Sequence, residues 1–125
     1  MTTLLIALFG GAGAVSRFVL DAEVRRRARG SFPVGTFIIN VLGSFVLGAL
    51  TGAFTHHAGW LSPTAKDTLG TGLCGGFTTF STASVETVRL WLTTGKAVGA
   101  RYAVATALVS LLAAFAGIAL GGVLA

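Results

Sequence analysis

The chain has 125 residues, 54% of them hydrophobic and only 10% charged, with a formal net charge of +5. A water-soluble domain carries about 25% charged residues, so this sequence cannot cover a water-facing surface, and its natural solvent is a lipid bilayer. One cysteine, Cys74, excludes an intrachain disulfide framework.

Crossing ~30 Å of hydrocarbon takes about 20 helical residues. Four apolar runs reach that length or nearly so, and they predict helices over 2–20, 33–54, 65–92 and 99–124. The expected fold is all-α: four transmembrane helices in one unit, without a separate soluble domain. The alternating ~10-residue segments of a β-barrel are absent. The first run, "LLIALFGGAGA", has the shape of a signal-peptide core, but no Lys or Arg precedes it and three more apolar runs follow. It reads as the first membrane helix, with Gly10, Gly11 and Gly13 within it. The arginine cluster Arg25–Arg29 then fills the gap before the second helix, where Asp21 also marks a loop or helix end.

The second helix carries Ser44, Gly48 and Gly52 at four-residue spacing, and the fourth carries Ala113, Gly117 and Gly121. Lipid supplies no hydrophobic drive for helix association, so such small-residue stripes mark tight packing. Asn40 sits amid Ile38, Ile39, Val41 and Leu42, as a bridge between helices or as a ligand group. In the polar loop "THHAGWLSP", His56 and His57 have no Cys or acid at ligand spacing, so no metal site is expected there.

The third run holds "GTGLCGGFTTFSTAS", residues 70–84, in which glycines and hydroxyls gather inside an apolar segment. Both weaken a helix, so the run is predicted to break near its middle. A broken helix at membrane depth is tolerated where its freed backbone lines a cavity, and its carbonyl end can coordinate a cation. Thr78, Thr79, Ser81, Thr82 and Ser84 follow, then Glu86 and Arg89 near the helix end, where they can be interfacial. On the fourth helix Tyr102, Thr106 and Ser110 recur every four residues as one polar stripe. A serine or threonine in a helix can bond its own backbone. Three such sets on three helices instead suit a small anion, whose hydration shell neutral O–H and N–H donors can replace.

No hydrolytic or redox constellation appears, so an enzyme is not expected. The basic residues flank helices, where they set topology or meet anionic lipid rather than nucleic acid. With four spans, Arg25, Arg26, Arg27, Arg29, Arg89, Lys96 and Arg101 fall on one side and Lys66 on the other. The positive-inside rule then puts both termini outside. Four helices of this size enclose little volume, so a dimer is expected.

Three stretches carry a family resemblance: "GGAGAVSRF" (10–18), "PVGTFIINVLGSFVLG" (33–48) and "GLCGGFTTFST" (72–82). In order and spacing the whole chain resembles the CrcB/Fluc family of fluoride channels. The resemblance implies an antiparallel dimer in the cell membrane with two fluoride pores and a central sodium ion that is not transported. The sodium would be held by the backbone carbonyls of Gly75 and Thr78 from each subunit. Asn40, Thr79, Phe80, Ser81, Tyr102, Thr106 and Ser110 would line the fluoride pathway, with Arg17 and Glu86 in the pore region. Phe80 would offer an electropositive ring edge to the anion. Fluoride that enters as neutral HF and ionises inside would leave passively through such a channel.

Two features depart from the family pattern. Where "TTFSTF" is usual, the last position is Ala83, so the second pore phenylalanine is missing. The charge bias also fixes one orientation. Together they predict a related partner subunit of opposite orientation that supplies the aromatic. The rival readings are a small multidrug-type cation/proton antiporter, for which Glu86 is the only candidate carboxylate within the third helix, and a non-conducting partner subunit.

Overall fold

The computed structural model describes residues 1–57, 59 and 61–124. Ala58 and Trp60 of the histidine loop, and Ala125 at the end of the fourth apolar run, lie outside the described residues. Every regular element among the described residues is helical: α1 Thr2–Arg27, α2 Val34–His56, α3 Pro63–Asp67, a π-type turn Thr68–Cys74, α4 Gly75–Phe77, α5 Phe80–Thr93 and α6 Lys96–Leu124. α1, α2 and α6 are each long and apolar enough to cross a membrane. The third crossing is composite, built from α3 to α5 with an interruption at Thr78 and Thr79.

α1 does not stop at residue 20 as the hydropathy suggests; it runs on through the arginine cluster to Arg27. Its acids explain the extension. Arg25 pairs with Asp21 at 2.9 Å, and Arg26 and Arg27 share Glu23 at 2.7 and 2.6 Å. Pairs at i,i+3 and i,i+4 stabilise a helix by about 0.2–0.5 kcal/mol each, and arginine at a helix C-terminus also suits the macrodipole. Asp21 is therefore a helical residue, not a loop residue. The third crossing starts where Ser62 accepts a hydrogen bond from the Ala65 N–H at 3.1 Å, with Pro63 at the first helical position.

The two predicted stripes meet each other. A Cβ on Gly48 or Gly52 would run into the carbonyls of Ala114 or Ile118, and one on Gly117 or Gly121 into those of Phe45 or Ala49. α2 and α6 therefore lie backbone to backbone, the approach that bundles in lipid depend on. α1 crosses the broken helix in the same way, with Gly10 against Gly76 and Gly13 against Leu73 and Phe77. Gly11 faces open space.

Those contacts make a paired prediction. Gly117→Ala sets a methyl against backbone that no side-chain motion can clear, so α2 and α6 must part, at a cost of about 1–3 kcal/mol. Gly11→Ala meets nothing and is expected to be neutral or mildly stabilising. Thermal unfolding in detergent checks both: Tm falls for the first and holds or rises for the second.

Candidate ion pathway and the helix break

The break is built by two side chains that capture backbone donors. Thr78 (φ −76°, ψ 158°) and Thr79 (φ −151°, ψ 109°) are extended, between the last turn of α4 and the first of α5. In an unbroken helix the Thr79 N–H would bond the Gly75 carbonyl, and the Thr82 N–H the Thr78 carbonyl. Instead the Thr79 N–H donates to Asn40 Oδ1 at 2.8 Å, and the Thr82 N–H donates to Thr79 Oγ1 at 3.1 Å. Asn40 Nδ2 completes a two-way clamp by donating to the Thr79 carbonyl at 3.0 Å. Asn40 thus bridges two helices, and the carbonyls of Gly75 and Thr78 lose their helical donors. Between them, the Gly76 carbonyl accepts from Arg17 Nε at 3.4 Å.

Upstream, the backbone over Thr68–Cys74 is widened into π-type turns, and the Gly75 N–H reaches back five residues to the Gly70 carbonyl. This widening carries no sequence signature beyond the glycines, and it went unread. Such segments recur at functional sites.

α2, α5 and α6 line an open cavity of about 590 Å³ that gathers Asn40, Phe80, Tyr102, Thr106 and Ser110, with Thr78, Ala83 and Ser44 also on its wall. The stripe on α6 is buried: Tyr102 is 0% exposed and Thr106 7%. Tyr102 Oη, Thr106 Oγ1 and Ser110 Oγ have no hydrogen-bond partner among the described residues. A buried hydroxyl without a partner costs about 1–3 kcal/mol, so three in a row amount to a row of unused donors facing one space. Other hydroxyls on the third crossing are spent within their own helix. Ser84 donates to the Phe80 carbonyl at 2.9 Å and Thr87 to the Ala83 carbonyl at 2.8 Å.

The remaining sequence candidates lie elsewhere. Thr79 and Arg17 line a second cavity of about 400 Å³ beside α1, together with Thr36, which is 2% exposed, and Thr82. Ser81 is exposed, with its Oγ 3.3 Å from Thr79 Oγ1. Phe80 stands 88% exposed at the edge of the first cavity. Glu86 is buried within the protein, at 8% exposure. Arg89 Nε donates to it at 2.6 Å, and Arg25 approaches to 3.9 Å from α1. It borders a small cavity of about 180 Å³ under the α1–α2 loop, apart from the α6 stripe. Among the described residues no three His, Cys, Asp or Glu side chains cluster as a metal site.

Thr79 caps α5 as well as holding the break. Thr79→Ala is expected to cost about 1 kcal/mol through the lost cap, read as faster amide exchange in the first turn of α5, and Thr79→Ser is expected to retain the protection.

Three long apolar helices and a composite crossing, broken beside a buried row of donors, define a multi-pass membrane protein. Residues 4–118 match the family described as CrcB-like protein, Camphor Resistance (CrcB), and the chain belongs to that family. It is 50% identical over 97% of its length to a protein named Fluoride-specific ion channel FluC 2 from Cutibacterium acnes, 98% of which is covered. It is 48% identical to Fluoride-specific ion channel FluC 1 of Streptomyces avermitilis over 94% of each chain. A similar protein from Caulobacter vibrioides, Fluoride-specific ion channel FluC, is 36% identical over 92% of this chain and 91% of its own.

Proposed function

We propose that this chain is a subunit of a fluoride-specific channel in the cell membrane that lets cytoplasmic fluoride leave passively. The observation that carries the reading is the α6 stripe: three buried hydroxyls without partners, in one cavity with Asn40. Neutral donors replace part of an anion's hydration without trapping it, as a charged residue would. The relatives' names supply the identity of the ion.

The freed carbonyls of Gly75 and Thr78 suit a structural sodium ion. Hard cations prefer oxygen ligands, and Gly75 is exposed at the break, where a second subunit could add its own pair. Bound there, the ion would supply positive charge that neutralises converging carbonyl dipoles and fixes the break. The assembly we propose is an antiparallel dimer, with Phe80 standing exposed toward the partner. The orientation bias and Ala83 favour a related subunit of opposite orientation. Replacing sodium with a larger alkali cation is expected to weaken dimer cohesion, read as a shift toward monomer in detergent.

The antiporter reading needs an exchangeable buried carboxylate. Glu86 is engaged by two guanidinium groups, from Arg89 and Arg25. Growth of a bacterium lacking its own fluoride exporter tests the proposal. Expression of this chain, alone or with its opposite-orientation partner, should restore growth in fluoride and leave resistance to cationic drugs unchanged. Drug resistance that Glu86→Gln abolishes, with fluoride sensitivity unmoved, would overturn it.

A further inference from the structure

The charged end of the molecule is unevenly satisfied. Seven basic residues lie at the end formed by the α1–α2 and α5–α6 connections, against three acids, Asp21, Glu23 and Glu86, which leaves a surplus of four. At the opposite end Lys66 and Asp67 cancel. The three acids are fully occupied: Asp21 by Arg25, Glu23 by Arg26 and Arg27, and Glu86 by Arg89 with Arg25. Arg29, Lys96 and Arg101 are exposed and form no ion pair among the described residues. Lys96 Nζ stands 5.9 Å from the centroid of the Trp91 ring, and Trp91 is 44% exposed. An exposed indole beside a lysine at a helix end is the arrangement found at headgroup depth, where the ring meets the acyl boundary and the cation meets phosphate.

We infer that Arg29, Lys96 and Arg101, at the same end of the molecule as Trp91, recruit anionic phospholipid headgroups from the leaflet at that end. Charge complementarity selects the occupant. The surface is cationic, its own acids are spent, and it lies at the ends of the apolar crossings. A zwitterionic headgroup offers the same phosphate but carries its own ammonium, which these side chains repel. A basic side chain near an anionic leaflet contributes about a fivefold preference. Even partial engagement of three should enrich anionic lipid around Trp91 severalfold over zwitterionic lipid.

The test reads the lipid next to Trp91 directly and does not depend on ion flux. The chain with Trp60→Phe, so that Trp91 is the sole tryptophan and is excited selectively over Tyr102, is placed in bilayers containing acyl-brominated phosphatidylglycerol or, at the same mole fraction, acyl-brominated phosphatidylcholine. The expected result is at least about twofold stronger quenching by the anionic lipid. Adding Arg29→Gln, Lys96→Gln and Arg101→Gln should abolish the difference, and adding Lys66→Gln instead should leave it. Equal quenching by both lipids would overturn the inference, as would a preference that survives the triple substitution. A failure of fluoride transport would leave this measurement unaffected.

Discussion

Asn40→Leu is expected to abolish fluoride transport and to destabilise the fold. The leucine removes both halves of the clamp on Thr79, whose N–H then lies at membrane depth without a partner, while its carbonyl keeps only the bond it accepts from the first turn of α5. The unpaired N–H costs about 1–3 kcal/mol and the lost bond to the carbonyl about 0.5–1.5 kcal/mol, so the loss is about 1.5–4.5 kcal/mol. The backbone can recover part of it by closing the Thr79 N–H onto the Gly75 carbonyl, which would re-form the helix and erase the break. Unfolding in detergent and fluoride efflux from liposomes read the two consequences separately. A variant as stable as the parent and still conducting would show that Asn40 neither holds the break nor lines the path.

Ala83→Phe is expected to increase fluoride flux through the chain studied by itself. Position 83 follows Phe80 by one helical turn, and both line the cavity of about 590 Å³, which has room for a phenyl ring among Ala103, Ala107 and Ser84. Aromatic contacts of this kind contribute about 0.5–1.5 kcal/mol. Applied to the transport barrier, that amounts to roughly a tenfold change at most. The same substitution in the complex with an opposite-orientation partner should have little effect, because that partner already supplies the ring. A fall in flux in the chain alone, with the protein still folded, would mean that the cavity needs its small residue.

The membrane made much of this architecture legible. Charge is too costly in lipid to be scattered, so the apolar runs mark the crossings, and the four-residue stripes of Gly48, Gly52, Gly117 and Gly121 mark the faces that meet. The break was readable because glycine and threonine have few other reasons to gather in an oily segment. The α6 stripe was readable from a spacing of four. Hydropathy failed where side-chain pairing took over: Asp21 with Arg25, and Glu23 with Arg26 and Arg27, carry α1 past the point where its apolar run ends. Those spacings are present in the sequence, but a hydropathy reading counts the arginines as loop. Glu86 near a helix end reads as interfacial; the structure pairs it with Arg89 three residues on and brings Arg25 to 3.9 Å from a helix 61 positions away, a contact no local spacing shows. The resemblance groups Thr79 with the α6 hydroxyls, whereas the extended backbone at the break turns it to the other side, with Arg17. No local signal distinguishes those two sides.

The central claim is that the buried donor row conducts fluoride. The most direct measurement is fluoride efflux, read with an ion-selective electrode, from liposomes containing the purified chain with and without its opposite-orientation partner, beside a chloride control. The account predicts fast fluoride release with chloride retained, lost when Thr106 and Ser110 are both replaced by alanine. Release of both anions alike, or silence in both preparations, would contradict it.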